Sequence, residues 1–424
     1  MRHSPSFYIG RLLIYALLTG FALFMLFPFL YMVSTSFKNS TDVFRSPPRL
    51  LPYSPERIEI DGQMRRLYRF EIGGQVRELV ITDERVEVGQ FTTPELFNAA
   101  RPRTSPIVAQ APMYEVRKTD DTVTPAGAEP QVVYEVQVDG QTQRLLLVNT
   151  PRLNKFVDPE DPSVYAYASE RTAQAAEFVE FQVTNYNAVL GLPIDPRVAE
   201  NDPLLQGSSA RIRLDRALVN TTLVTVLVVI GQLVTSIFGG YAFSRIEFKG
   251  RDTLFLLYLG SIMIPFVVLI IPIYRLMVLL EWQNRIVSLI VPWIFTAYGT
   301  FLMRQFFISI PKEIEEAALL DGCSRFRILW TIFVPLSTPA IASLAIFSFL
   351  YAWNSFLWPL LIIGEGNRDN HVLTLGLIQL SNTFADRPNL VLTGAAIAIL
   401  PPVIVFIFAQ RYFIEGIATS GLKG

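Results

Sequence analysis

Two hydrophobic rhythms divide this chain. Long apolar runs stand near its start and through its C-terminal half, and between them apolar and polar residues alternate almost one by one. A helix that crosses a bilayer needs about 20 mostly apolar residues. Six stretches reach that length, at about 12–37, 217–243, 253–280, 286–308, 339–363 and 390–413. Pro28, Pro265, Pro272, Pro292, Pro401 and Pro402 interrupt them. Prolines are tolerated in spans when neighbouring groups satisfy the freed backbone. The first run is followed by small residues in "MVSTS", as a cleaved leader would be, but it is longer than the roughly 7–15 residues of a signal core. It therefore reads as a retained span.

The alternating region predicts strands with one buried face. "IEIDGQMRRLYRF", "YRFEIGGQVRELVI" and "YEVQVDGQTQRLLLV" each place a two-residue turn pair between such runs, at Asp61-Gly62, Gly73-Gly74 and Asp139-Gly140. These pairs favour tight hairpins because the turns require positive φ. A Gln follows each pair, at Gln63, Gln75 and Gln141, and Ile58/Ile60, Phe70/Ile72 and Val136/Val138 align before it. Either a weak repeat of hairpins or convergent turn chemistry accounts for the pattern. "TDDTVTPAGAEP" reads as a flexible loop, and "SERTAQAAEFVEF" as one short helix.

Composition narrows the class. The 424 residues are 51% hydrophobic and 17% charged, against about 25% charged in an ordinary soluble domain. The net charge of −1 gives nothing for nucleic acid to bind. Cys323 is the sole cysteine, and the histidines are His3 and His371, so neither a disulfide within the chain nor a Cys/His zinc site can form. The alternating region has no cysteine or histidine, which excludes a nucleophile–base pair built on them there. With the N-terminus inside, Arg2, Arg11, Arg245, Lys249, Arg251, Arg304, Lys312, Arg325, Arg327, Arg411 and Lys423 all fall on the cytoplasmic side. That distribution obeys the positive-inside rule. It places both termini in the cytoplasm and residues 38–216 outside.

One inner segment breaks the apolar pattern: "PKEIEEAALLDGCSRFRILWTIFVP", residues 311–335. Pro311 suits a first helical turn. Glu313, Glu315 and Glu316 lie near a helix N-terminus, which favours negative charge. Ile314, Ala317, Ala318 and Asp321 fall on one side, and the alanines leave a shallow face. Gly322 fits the position after a helix that often needs positive φ, and Ser324 can cap the next helix. There Phe326, Leu329, Trp330 and Phe333 form an apolar stripe. The element is either an interfacial connector or a handle gripped from the cytoplasm.

The residue order adds to this shape. "EAALLDGCSRFRILWTIFVP" resembles the EAA loop of ABC importer permeases, with Glu316, Ala317, Ala318, Gly322, Ile332 and Pro335 at the matching places. Val334 stands for the usual Leu and Cys323 for a common Ala. "NSTDVFRSPPRLLPYSP", "FQVTNYNAVL", "LVNTTLVTVLVVIGQLVTSIFGGYAFSRIEFKGRD", "FLMRQFFISIP", "YAWNSFLWPLL" and "QRYFIEGIATSGLKG" are similar to segments of the same proteins. The chain thus resembles the MalG-like permease subunits of binding-protein-dependent carbohydrate importers over residues 1–55 and about 181–424. Members of that family usually run almost directly from the "PPRLLP" part to the "NY" part; residues 56–180 are extra.

The resemblance implies an α-helical polytopic membrane protein with the six transmembrane helices of an ABC importer type I permease fold and an inserted β-rich extracytoplasmic domain. Residues 1–46 would hold the first helix, 47–210 the extracytoplasmic segment, and 211–424 a five-helix permease core with the coupling loop at 311–335. The chain would bind no cofactor and catalyse nothing itself. It lacks a G-x-x-x-x-G-K-[ST] loop, so Mg-ATP would sit on a separate ABC ATPase dimer. Implied partners are that dimer, a second permease subunit, an extracytoplasmic solute-binding protein and the lipid bilayer of the inner membrane. ATPase coupling would fall to Glu316, Ala317, Ala318, Asp321, Gly322 and Phe326. In the spans, Tyr351, Trp353, Asn354 and Tyr298 are candidates for the substrate path, with Ser355, Trp358 and Thr300 beside them. Trp358 fits an outer aromatic belt equally well. The competing readings are a secondary transporter, for which the spans hold almost no ionisable residue, a membrane-anchored sensor or interaction protein, and an importer of a non-sugar such as glycerol phosphate.

Overall fold

The computed structural model describes residues 5–60, 62–98, 100–138, 140–194, 213–364 and 366–420; Arg2, Asp61, Asp139 and Lys423 lie outside them. The chain divides into two compact units, Met1–Pro52 with Phe181–Gly424, and Tyr53–Glu180.

The first unit is helical. Its elements are α1 (Pro5–Ser36), α2 (Thr184–Leu190), α3 (Leu214–Arg245), α4 (Arg251–Gly260), α5 (Phe266–Leu279), α6 (Ala297–Ser309) and α7 (Lys312–Leu320). Then come α8 (Arg325–Leu336), α9 (Thr338–Trp353), α10 (Leu357–Ile362), α11 (Leu373–Thr383) and α12 (Pro388–Ser420). Among the described residues, four helical stretches are long and apolar enough to cross a membrane, or up to six if each bent pair is one span. The first, second and sixth expected spans are continuous helices, and α12 runs through Pro401 and Pro402 without a break.

The other three are broken. The third is bent by 99° between Met263 and Phe266, at Pro265, which cannot donate to the helical ladder. The fourth begins as two short 3₁₀ turns, Ile286–Leu289 and Val291–Trp293, and becomes α-helical only at Ala297, where the Thr296 side chain caps it. Two carbonyls freed by that break are taken up by α3. Gln232 Nε2 donates to Trp293 O at 2.8 Å and Thr235 Oγ1 to Ile294 O at 2.7 Å. Ser348 Oγ of α9 in turn donates to Gln232 Oε1 at 2.6 Å. In hydrocarbon such groups must find protein partners, and here one Gln serves two neighbours. The fifth expected span, 339–363, stops at Trp353 and resumes only at Leu357; Asn354, at its end, donates to Leu350 O through both its backbone N and its Nδ2.

Close packing of α3 on α6 depends on small residues. A Cβ on Gly240 would lie 2.6 Å from Met303 Cβ and 2.9 Å from Arg304 N. The core beneath holds Tyr241, Met303, Phe307, Ile328, Leu329 and Phe333.

The chain leaves and re-enters this unit at one point. Gln182 N donates to Phe37 O at 2.9 Å, and Asn185 Nδ2 donates to the carbonyls of Ser36 and Lys38. Asn389 of α12 donates to Lys38 O, and Thr393 to Ser36 O. Lys38 itself is 1% exposed and donates to Arg49 O; burial pushes its amine below the usual lysine value.

The second unit is built of strands β1 (Tyr53–Pro55), β2 (Arg57–Ile60), β3 (Gln63–Ile72), β4 (Gln75–Thr92), β5 (Ala109–Pro112) and β6 (Arg117–Val123). They are followed by β7 (Gln131–Val138), β8 (Gln141–Asn149), β9 (Arg152–Val157), β10 (Tyr165–Ala168), β11 (Gln174–Ala175) and β12 (Glu177–Val179). The main sheet runs β10-β9-β4-β8-β7-β6, with β3 and β5 also on β4, and β2 and β11 on β3. All paired strands are antiparallel, and the three expected hairpins close as Ile60↔Gln63, Ile72↔Gln75 and Val138↔Gln141. Gly62, Gly73, Gly74 and Gly140 have φ between 60° and 78°, as those turns require. β1 pairs with β12, so the unit's two ends lie side by side.

Two expectations fail here. "TDDTV" is the end of β6, with Thr122 opposite Val132; the loop proper begins at Thr124. The expected helix at 169–181 is instead β11 and β12, because edges of β3 and β1 await partners: Ala175 faces Tyr68 and Phe178 faces Ser54. Tertiary pairing outweighs the helix preference of "TAQAAEF".

Candidate functional site

The polar segment 311–335 folds as a tight elbow. Pro311 stands at the N-cap position, one place earlier than the first-turn site expected of it, and α7 begins at Lys312. The turn closes as a Schellman motif: Gly322 N donates to Leu319 O and Cys323 N to Ala318 O, both at 3.0 Å. Gly322 has φ +79°. A Cβ there would meet nothing within 4 Å, so backbone conformation rather than space selects glycine. Ser324 Oγ accepts from Arg327 N and caps α8 as expected.

The structure divides the expected faces differently. Ala318 is buried against the aromatic core, whereas Ile314, Ala317 and Glu316 are exposed and Leu320 is 89% exposed. Asp321 and Gly322 are exposed at the bend. In α8 the stripe splits. Residues Leu329–Phe333 form a π-helical turn, which slips the register. Leu329 and Phe333 turn inward with Ile328, while Phe326 and Trp330 lie outward beside Phe238 of α3, with ring centroids 6.3 and 6.1 Å away.

Three residues that matter here were not among the expected coupling residues: Glu315 and Arg245, noted in the sequence only for their charge, and Tyr241. Glu315 is 7% exposed although its neighbour Glu316 faces solvent. Its carboxylate lies 3.6 Å from Arg245 Nη1, accepts from Tyr241 Oη at 3.1 Å, and has Arg325 Nη1 at 3.9 Å. The available signal was the i, i+4 spacing of Tyr241 and Arg245 at the end of a span, which puts both on one helix face.

A second feature lies where the spans are broken. Phe266, Trp293, Tyr351, Asn354, Ser355 and Trp358 line an open cavity of about 310 Å³. Trp293 packs edge-on to Phe266 at 5.0 Å and sits 5.9 Å from Tyr351. Of the four substrate-path candidates, Tyr351 and Asn354 reach this cavity. Trp353 does not line it: it is 4% exposed, donates Nε1 to Ala398 O at 3.1 Å and stacks on Phe349. Tyr298 sits apart, edge-on to Phe347, and Thr300 is buried between α6 and α3. Trp358 is 2% exposed and donates to Ser288 O at 2.9 Å, which fits an internal wall and not a lipid-facing belt.

A family profile described as "Binding-protein-dependent transport system inner membrane component" matches residues 221–419, from α3 nearly to the end of α12. The arabinooligosaccharides transport system permease protein AraQ of Halalkalibacterium halodurans is 38% identical over 205 residues, 48% of this chain and 73% of that protein. The sn-glycerol-3-phosphate transport system permease protein UgpE of Rhizobium meliloti is 36% identical over 237 residues, 54% of this chain and 83% of its own length. Among solved structures, a bacterial ABC transporter involved in the import of the acidic polysaccharide alginate matches with a TM-score of 0.54. That match is 17% identical, covers 97% of this chain and 99% of that one, and is a likeness of fold. The chain therefore belongs to the inner-membrane permeases of binding-protein-dependent ABC importers, transport subunits that are not themselves catalytic.

Proposed function

We propose that this permease is one half of the passage of an ATP-driven carbohydrate importer. Its elbow, residues 311–335, would dock on a cytoplasmic ABC ATPase dimer. A second permease subunit would complete the passage, and an extracytoplasmic binding protein would deliver the solute. The termini would be cytoplasmic and the unit Tyr53–Glu180 extracytoplasmic, as the charge distribution of the loops favours.

The observation that carries the coupling role is the elbow's outward surface. Glu316, Ala317, Leu320 and Phe326 are all exposed on the helix–turn–helix, the first two at positions that resemble the EAA motif. Such a surface offers one charge and several apolar contacts to a groove, and Ala317 permits close approach. ATP can move the permease only if the ATPase contacts this surface differently in its two states.

The cavity favours a neutral sugar. None of the described residues lining it carries a charge at neutral pH, and no Arg or Lys is among them to pair with a phosphate. Aromatic walls with an amide and a hydroxyl suit the apolar faces and hydroxyls of a saccharide. We assign the substrate path to Tyr351 and Asn354, add Trp293 and Ser355, and give Trp353 the task of holding α9 against α12. Glycerol phosphate is the second reading, favoured by the relatives named for it. Uptake into proteoliposomes holding the assembled complex separates the two. Labelled neutral oligosaccharide is expected to accumulate with ATP; accumulation of sn-glycerol 3-phosphate instead would overturn the sugar assignment.

A further inference from the structure

Arg245 is the last residue of α3 and sits 3% exposed at its side chain, at the junction of four segments. Its Nη1 faces Glu315 of α7. Its Nη2 donates to Phe307 O at 2.5 Å and to Ile310 O, the end of α6 and the residue before the elbow. Its guanidinium lies 4.9 Å above the ring of Phe333, beyond the elbow in α8. Glu315, 9% exposed at its side chain, holds Tyr241 Oη one turn earlier on α3, and Arg325 from the far side of the bend. Every element around the elbow is thus joined to the end of one long helix through two side chains.

Stability alone does not account for that choice. A buried ion pair can often be replaced by apolar residues with no loss of stability, whereas breaking one leaves an uncompensated charge. What the charges add is direction. A planar guanidinium that bonds two backbone carbonyls and a carboxylate at once admits one orientation of the elbow. Apolar packing of Ala318, Leu329 and Phe333 by itself would tolerate sliding.

We propose that Arg245 and Glu315 are positioning residues. They form a buried latch that fixes the elbow to α3, so that a displacement of the elbow is carried into the helix instead of being lost in the bend. The inference rests on the coupling role assigned to the elbow. It differs from docking itself, since neither side chain lies on the exposed surface. Glu315→Gln keeps the size and the acceptor for Tyr241 but removes the charge. Arg245→Lys keeps a charge near Glu315 but loses the fork that holds the carbonyls.

The test is the assembled complex in proteoliposomes, read as uptake per ATP hydrolysed, with the amount of intact complex measured alongside. Glu315→Gln and Arg245→Gln are expected to leave assembly and ATP hydrolysis near the parent level and to lower uptake per ATP at least tenfold. Arg245→Lys is expected to recover part of that ratio. A second measurement guards against misfolding. Spin labels at Leu320→Cys and Lys249→Cys, with Cys323→Ser, should give a narrow distance distribution in the parent that broadens in Glu315→Gln. Unchanged uptake per ATP in Glu315→Gln, or uptake and assembly falling together in every variant including Arg245→Lys, overturns the latch. Glu316→Lys separates the layers: if it too leaves transport intact, the coupling reading fails, and if it alone abolishes transport, only the latch fails.

Discussion

Two regions of the helical unit are built on opposite principles. Around Arg245 the segments meet at a tight glycine turn over an aromatic core, and a buried ion pair joins them. Around Trp293 and Asn354 the spans are broken, the turns are 3₁₀ or irregular, and a cavity opens between the pieces. Such a pairing of a pinned region with broken spans is what the proposed coupling would use. The breaks are not loose ends, for Gln232, Thr235 and Trp358 hold the irregular carbonyls. The difference shows that irregular backbone at membrane depth is tolerated where another helix supplies the missing partner and a cavity lies beside it.

The contrast can be broken most severely at the stiff end. Gly322→Asp forces a side chain into positive φ, a cost of about 1–2 kcal/mol for an ordinary residue. It also adds charge to the exposed bend. Uptake is expected to fall below detection while membrane insertion persists, as assayed by transport and membrane fractionation. At the broken end, Gln232→Leu leaves the Trp293 carbonyl and Ser348 without partners. At about 1–3 kcal/mol per unsatisfied buried group, thermal unfolding of the purified complex should shift to clearly lower temperature. Tyr351→Ala should be milder there: removing an aromatic contact worth about 0.5–1.5 kcal/mol should raise the half-saturating solute concentration several-fold and leave solute-independent ATP hydrolysis alone.

The β-rich unit is expected to give the smallest effects on the helical unit and serves as a control. Because Gln182 bonds Phe37 within the helical unit, and β1 lies beside β12, replacing residues 56–180 by a short linker should leave the helical unit folded and lower transport. Smaller still is Asp158. The backbone N–H of Glu160 chiefly, helped by that of Asp161 and by Arg77, holds its carboxyl below the usual value. A carboxyl depressed on folding adds stability at pH above the ordinary aspartate range and loses it as pH falls through its lowered folded value. Asp158→Asn should flatten that acid slope in thermal unfolding and change little at neutral pH.

Sequence made the regular parts legible and the broken parts not. Continuous hydropathy marks α1, α3 and α12, and Asp-Gly or Gly-Gly marks the hairpins, because both signals are local. The breaks at Pro265 and near Pro292 were foreshadowed by their prolines, but the groups that satisfy the carbonyls freed before Ala297, Gln232 and Thr235, lie some sixty residues away. Glu315 and Glu316 are adjacent and chemically identical, and which of them turns inward depends on the face α7 presents to Tyr241, Arg245 and the core around Ala318. Phe326, Leu329, Trp330 and Phe333 were expected on one stripe because helical spacing assumes 3.6 residues per turn; the π turn at Leu329–Phe333 departs from it, and the four divide between an outer and an inner face.

The central claim is that work done by an ATPase enters this permease through the elbow on the cytoplasmic side. Its most direct test is labelling of Leu320→Cys, in a Cys323→Ser background, with a membrane-impermeant maleimide applied from each side of sealed vesicles. Labelling is expected from the cytoplasmic side alone, with protection once the ATPase subunits are bound. Labelling from the opposite side, or equal labelling with and without the ATPase, would contradict it.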